Sequence, residues 1–557
     1  MPVATPTVPE HRFHTMLLDA IRHEHDWRER AERNFRYYDG DQWTDAEIKT
    51  LQERGQQATV INICRPQVDS LHSIYLQRKT DLKVLGREIS DDQDAQVATH
   101  LLKQVMDQSG FEFGESQWFR SGCIPGIGWL EICLEPDEMD DSANPEENIY
   151  VRHVHFEDIF FDPYARSMDG SDFKWVCRRV WMSTERLKEL YPTKSEDVSR
   201  VSTTLGDAFN GAERFAQATT ADTAAVKYYD GENQRIAVYE MWYKDASRKV
   251  HRVVFAYDVF LEGGDDDSMN DDPLECNIIP FVPFIAARSR QGLPLGIIDF
   301  TYPLQDSLNK LYSKWQWNMM TRQMIIEDGA ADDIDFVRRE LAKPDGIIAL
   351  EVGGLGKIEI PDNINESQHL SNMMLMISQF SQRVSGINDA LLGVGGVNAR
   401  SAEQEASRQI QGAAMQSAIL DNMFCSKKRL GRIVLKMIAK HYTMRKVART
   451  VAPNGESQYY QINEAYVDSA GREVKREIKD IMRYDLVIEV APQFDTVRQN
   501  QLQNIAEVAK TGVIPAPIAS EIIVQLADLP DKQALLEKMQ QYFSQQEALL
   551  AQQGTVQ

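Results

Sequence analysis

The strongest pattern of apolar and polar positions lies past the middle of the chain. Leu304, Leu308, Leu311, Trp315 and Met319 recur at spacings of 4, 3, 4 and 4, while Asp306, Lys310 and Lys314 occupy another face. This period predicts an amphipathic helix, with Pro303 suited to its first position, where a missing N–H removes no intrahelical bond. Leu370, Met373, Met374, Ile377, Phe380 and Val384 mark a second helix, opened by a capping box of Asn365 and Gln368. Between them, residues 327–361 read as a small insert with a helix over 333–341 and strands over 347–352 and 357–360. Gly393-Val394-Gly395-Gly396 follows, and Ser401 with Gln404 forms another capping box. The helical pattern opened there runs to about residue 443, on the order of 60 Å, with Gly412 and Gly431 as kink positions.

Upstream, helical periodicity covers residues 11–49, with a turn at Asp39-Gly40, and then residues 61–78 and 92–108. Acidic residues load the first turn of the last of these, as the helix dipole favours. Residues 121–134 switch to Gly, Pro and β-favouring side chains, so a strand hairpin is expected to begin there. Alternation over 149–179 predicts strands that lead into a short helix stopping at Tyr191-Pro192. Residues 195–230 are polar and weakly periodic, a surface loop or a weak helix. Residues 235–243 and 250–261 form a hairpin-like pair of β-branched and aromatic runs, followed by a very acidic loop over 262–272. Strands are expected around 459–467 and 485–490, then a helical stretch over 496–547 broken at Pro515, Pro517 and Pro530. The fold class is α+β, predominantly helical, and no internal repeat is visible.

A chain of 557 residues exceeds one compact core and suggests three or four domain-sized units. Its 61 basic and 84 acidic residues give a net charge of −23. That balance disfavours a general DNA-coating protein, because phosphate neutralisation needs net Lys and Arg. Six cysteines without a C-x-x-C pair argue against a zinc site or disulfide framework and fit a reducing cytosol. No secretion signal opens the chain, and no run approaches the roughly 18 apolar residues of a membrane span. A protein made and kept in water is expected.

Enzyme chemistry finds little support. Gly353-Gly354-Leu355-Gly356-Lys357 is similar to a phosphate loop, but Ile358 replaces the Mg²⁺-binding hydroxyl and Glu351 replaces the first glycine. His153, His155 and Glu157 share one strand face without further ligands to complete a zinc site. Asp265-Asp266-Asp267 and Asp332-Asp333 read as solvated loops. No cofactor is expected.

One charge feature stands out. Residues 422–454 hold nine Lys or Arg and no Asp or Glu, and Lys428, Arg432, Lys436 and Lys440 form an i,i+4 ladder. DNA, an acidic patch on a neighbouring subunit, or solvent can face it. Met319, Met320, Met324, Met373, Met374 and Met376 crowd the two helices flanking the insert. Thioethers suit surfaces that repack, though core packing is the simpler reading.

The order of these elements resembles the portal proteins of tailed phages, nearest the P22-type podophage branch. Residues 152–163 (Arg-His-Val-His-Phe-Glu-Asp-Ile-Phe-Phe-Asp-Pro), 168–173, 277–283 and 398–404 carry the local likeness, which spans roughly residues 27–500. The resemblance implies a portal fold with wing, stem, clip and crown regions forming a ring with a central channel. Residues 1–25 would be an N-terminal arm, 26–300 the wing, 301–325 and 366–388 the stem helices, and 326–365 the clip. Residues 389–400 would form a tunnel loop, 401–495 the long kinked wing helix with returning strands, and 496–557 the crown and tail. Asp389, Leu391, Leu392, Gly393, Gly395, Gly396, Asn398 and Arg400 would then lie near the channel. Asp332, Asp333, Asp335, Arg338 and Arg339 would lie where partners dock, and the basic ladder would contact DNA or a neighbouring subunit. The family implies a homo-oligomer, usually a dodecamer, at one capsid vertex of the virion, made in the host cytoplasm. Double-stranded DNA would pass through it, and terminase large subunit, head-to-tail adaptor or tail proteins, and major capsid and scaffolding proteins would be its partners. The family has no catalytic residues. Another head-tail connector or a nucleotide-dependent packaging enzyme are the competing readings.

Overall fold

The computed structural model describes residues 11–77, 80–85, 92–136, 147–210, 228–230, 233–320, 325–326, 333–341, 358–359, 363–386, 417–442, 446–451, 457–462, 465–467, 473–475 and 487–492. Helix α1 (Arg12–Asp39) ends where Gly40 takes φ 95°, the left-handed conformation that glycine adopts freely, so the Asp39-Gly40 turn stands as expected. The helix continues across residue 25, where the arm was set apart from the wing. A separate α2 (Asp45–Glu53) opens on a Thr44–Glu47 capping box. Then come α3 (Cys64–Gln77), β1 (Thr80–Leu85), α4 (Asp92–Gln108) and α5 (Phe111–Cys123). The strand region expected from residue 121 therefore starts later. Phe111, Glu115, Trp118, Phe119 and Cys123 bury one face of α5, and the strand begins at Ile127.

The β-rich part comprises β2 (Ile127–Pro136), β3 (Glu147–Val154), β4 (Ile159–Phe161), β5 (Trp175–Ser183), α6 (Thr184–Leu190), α7 (Ser195–Asn210), β6 (Tyr229–Asp230), β7 (Arg235–Lys244), β8 (Val250–Ala256), β9 (Val259–Glu262), β10 (Phe281–Ile285), β11 (Ala287–Arg288) and β12 (Pro294–Leu295). Strands β10, β2 and β3 form one antiparallel sheet, with Trp129 opposite Val154. A six-stranded antiparallel sheet runs β4-β5-β7-β8-β9, with β6 beside β7. Period-two alternation decides what each face meets. Ala237, Tyr239, Met241 and Tyr243 pack on Phe13, Leu17 and Ile21 of α1, while Ile236 and Val238 meet Leu187, Val198, Val201 and Leu205 of α6 and α7. Those buried positions explain why residues 195–210 form a helix despite their polar composition.

Downstream lie α8 (Ile297–Met320), β13 (Ile325–Ile326), α9 (Ile334–Leu341), β14 (Ile358–Glu359), α10 (Asn363–Ser385), α11 (Ser417–His441), β15 (Lys446–Val451), β16 (Ser457–Ile462), β17 (Ala465–Val467), β18 (Glu473–Lys475) and β19 (Val487–Pro492). Pro303 is not the first residue of α8 but the seventh of Ile297–Met320, inside the helix. The helix starts at Ile297 because Asp299 accepts the N–H of Gly296 at 2.9 Å. Gly296 admits no side chain there, since a Cβ would sit 2.0 Å from the carbonyl oxygen of Ile124. α10 likewise starts at Asn363, before the expected cap at Asn365. Strand β1 pairs antiparallel with β19, Thr80 opposite Pro492, closing the far end of the chain on the α4 region. The largest core joins α1, α3, α4 and α5 to β2, β3, β10 and α11.

Candidate functional site

Helices α8 and α10 pack against each other, and Lys314 near the end of α8 pairs with Glu366 at the start of α10 at 2.8 Å. They are therefore antiparallel arms of a hairpin. Periodicity marked α8 as amphipathic, and the structure shows which side chains it buries. After Ile297 and Ile298 at its start, its buried side chains are Thr301, Gln305, Leu308, Asn309, Ser313 and Asn318, all polar but Leu308, whereas Leu304, Leu311 and Trp315 are half-buried and Met319 is exposed. The polar row faces the extended chain between α2 and α3. Asn309 Oδ1 accepts the N–H of Ile61 at 3.1 Å, and Ser313 Oγ donates to the carbonyl of Gln57 at 2.7 Å. Gln67 on α3 donates to Ser381 on α10 at 2.8 Å.

With polar groups turned inward, apolar groups remain outside. Met319, Met320, Met373, Leu375, Met376, Phe380 and Val384 are exposed, so the core-packing reading of these methionines does not hold for the four among them. Met374 is half-buried, and Met324 lies outside the described residues. Exposed apolar side chains along two packed helices are what a protein–protein contact presents.

Beyond the hairpin, β13 pairs with β14, Ile326 opposite Ile358, and α9 stands between them in sequence. Asp333 caps α9, its carboxylate accepting the N–H groups of Asp335 and Phe336 at 2.9 and 3.0 Å. Asp333, Asp335 and Arg339 are exposed. Asp332, the expected strand over 347–352, the Gly353–Lys357 stretch, the tunnel-loop positions Asp389, Leu391, Leu392, Gly393, Gly395, Gly396, Asn398 and Arg400, and residues 496–557 lie outside the described residues, as does Gly412. Nothing is described of the Arg338 side chain.

The basic ladder lies on α11, which runs unbroken through a buried Gly431. Arg432, Lys436 and Lys440 are exposed and Lys428 is half-buried. Lys440 finds its anion within the chain, pairing with Glu275 at 2.7 Å, a partner outside the three options considered from sequence. Two neighbours that the i,i+4 reading passed over are the more unusual residues. Lys427 is buried and pairs with Glu115 of α5 at 2.6 Å. Arg429 is half-buried, its guanidinium destabilised by burial and drawn toward Asp169 and Asp172. Lys427 was findable in the sequence, because Met423, Lys427, Leu430 and Val434 repeat at helical spacing on the buried face.

The residues considered for chemistry are held otherwise. His153 Nε2 lies 2.9 Å from Ser121 Oγ, and burial lowers its pKa to about 4. His155 and Glu157 are 4.0 Å apart and both exposed. Among the described residues no group of three or more His, Cys, Asp or Glu is placed to hold a metal ion. Asp265 and Asp267 in the acidic loop pair with Arg12 of α1, and Asp267 also accepts from Tyr243 at 2.7 Å. Of the cysteines, Cys64, Cys123, Cys177 and Cys276 are buried. No described helix is long and apolar enough to cross a membrane.

The sequence profile of the family described as phage P22-like portal protein matches residues 15–557. The chain belongs to that family. This P22-like portal chain is also similar to a protein named "Portal protein" from Helicobacter pylori bacteriophage KHP30, 19% identical over 499 residues that cover 89% of this chain and 75% of the relative. It is a phage portal protein, and membership places it in an oligomeric assembly of the virion capsid. The portal family is structural rather than enzymatic.

Proposed function

We propose that the chain forms a closed ring, a dodecamer as is usual for its family, at one capsid vertex, with a central channel for genome packaging and ejection. On this reading residues 301–325 and 366–388 are the stem, 326–365 the clip, 389–400 the tunnel loop, 401–495 the wing helix with its returning strands, and 496–557 the crown. The clip, with Asp332, Asp333, Asp335, Arg338 and Arg339, docks the terminase large subunit and the tail or adaptor proteins. The observation that carries the proposal is the exposed apolar face of α8 and α10, led by Met319, Met320, Leu375 and Phe380. Exposed apolar side chains of this kind mark contacts with other proteins, and identical neighbours related by rotation would cover them head to tail and close a ring. The net charge of −23 supports a channel along which duplex DNA slides, because it limits the ring-multiplied phosphate contacts that would hold DNA in place.

Negative-stain electron microscopy of the purified full-length chain tests the reading. A ring with a central opening wide enough for a duplex is expected. A monomer at high concentration, or an open filament, would overturn it.

A further inference from the structure

Around the loop that follows β4, basic side chains outnumber acidic ones and make no ion pair with them among the described residues. Asp172 faces Arg288, Arg429 and Lys244, and Asp169 also faces Arg429. Both carboxylates are committed to the loop's own turn. Asp169 Oδ1 accepts from the hydroxyl of Ser167 and from the N–H of Ser171 at 3.0 Å, and Asp172 Oδ2 accepts the N–H groups of Arg166 and Ser167 at 2.5 and 2.9 Å. The cations turn to carbonyls instead. Arg288 donates to Ala165, Ser167 and Gly292, and Lys244 to Phe173.

Arg429 has not even that. Its Nε is buried without a hydrogen-bond partner, and among the described residues the side chain makes no hydrogen bond or ion pair. A half-buried guanidinium left this way is costly unless an anion completes it. Arg432 beside it and Lys436 one turn on are exposed and also lack ion pairs among the described residues, whereas Lys440 is satisfied by Glu275.

We propose that Arg429, Arg432 and Lys436 form a docking site for carboxylates of a second copy of this chain. This rests on the oligomeric ring described above. A neighbouring copy carries a net charge of −23 and is held nearby by assembly, so its acidic side chains are the most abundant complementary groups. A carboxylate on a flexible side chain reaches a recessed guanidinium and engages it through two hydrogen bonds. The phosphates of a duplex are fixed on a rigid rod and reach protruding lysines more readily than a recess.

The test uses the full-length chain, Arg432→Glu/Lys436→Glu, and the milder Arg429→Gln. Both substituted positions of the double variant are exposed, so its circular dichroism spectrum is expected to match wild type while the protein concentration for half-assembly rises at least tenfold. Zero-length carbodiimide cross-linking between isotopically light and heavy copies is expected to join Lys436 to an Asp or Glu of the other copy. Wild-type assembly by both variants, with weaker retention of duplex DNA, would assign the face to DNA and overturn the proposal. Unchanged assembly and unchanged DNA retention would leave the face to solvent and overturn it equally. A wild-type chain that never assembles removes the ring reading as well, whereas a ring indifferent to these substitutions removes only this inference.

Discussion

Gln305 Oε1 accepts the backbone N–H of Ile63 at 2.8 Å, and the Nε2 of the same side chain donates to the carbonyl of Ile61 at 2.8 Å. One side chain thus serves an extended segment as a neighbouring β-strand would, satisfying a donor and an acceptor two residues apart. Asn309 and Ser313 extend the row by one helical turn each toward Ile61 and Gln57. The connection between α2 and α3 is fastened to α8 by amides and a hydroxyl rather than by a hydrophobic seam.

Gln305→Leu keeps the volume and removes both bonds. A buried backbone group left unsatisfied costs about 1–3 kcal/mol, and both of these are only partly buried, so a loss of about 1–3 kcal/mol in all is expected in urea denaturation. A loss below about 0.5 kcal/mol would mean that water replaces the side chain and the row is incidental.

This row also shows where the sequence was silent. Periodicity identified α8 as amphipathic and placed α4 at residues 92–108, the same span that the structure has. It could not say which face of α8 points inward, because the assumption that apolar means interior holds for a chain folding alone. In an oligomer the apolar stripe is free to await a neighbour while polar side chains bind backbone inside. α5 was hidden for a related reason: Gly114, Gly122 and Ser121 lower its helical signal, yet Trp118 and Phe119 are fully buried by tertiary packing. Of the basic face, the ladder was legible and the apolar spacing around Lys427 offered a signal for its burial, whereas nothing in the spacing marked Arg429, whose surroundings come from the loop after β4.

Lys427 and Glu115 link α11 to α5 inside the largest core, with side chains 2% and 10% exposed. Tyr75 donates its hydroxyl to the same carboxylate, and Lys427 also donates to the carbonyl of Thr80. Removing one partner strands the other charge, so Lys427→Met is expected to cost about 3–5 kcal/mol. Adding Glu115→Gln, which still accepts from Tyr75, should recover at least about half of that, because no buried charge remains. Additive losses in a denaturation double-mutant cycle would show that the two side chains act independently.

His153 sets a pH dependence with a definite sign. Burial lowers its pKa to about 4 from an ordinary 6.5, while the unfolded chain keeps the ordinary value. As pH falls below 6.5 the unfolded state takes up a proton that the folded state refuses until about pH 4, so stability is lost across that window and none is lost above it. Partial exposure limits the effect to about 1–2 kcal/mol. Denaturation midpoints of wild type should fall more steeply between pH 7 and 4.5 than those of His153→Gln, and parallel slopes would remove His153 as the cause.

The exposed face of α8 and α10 makes the sharpest demand on assembly. Met320, Leu375 and Phe380 are 69%, 61% and 43% exposed, so replacing them with glutamate removes little packing from the folded subunit. Each such side chain buried at a contact stabilises it by about 1.5–3 kcal/mol, and a buried unpaired carboxylate reverses that gain. Met320→Glu/Leu375→Glu/Phe380→Glu is therefore expected to give a soluble, folded monomer in analytical ultracentrifugation, with a thermal midpoint within a few degrees of wild type. Because identical contacts repeat around a closed ring, the loss is multiplied by the number of interfaces and assembly should fail as a whole rather than weaken gradually. Rings of wild-type size formed by this variant would show that the apolar face is covered by something other than a neighbouring subunit.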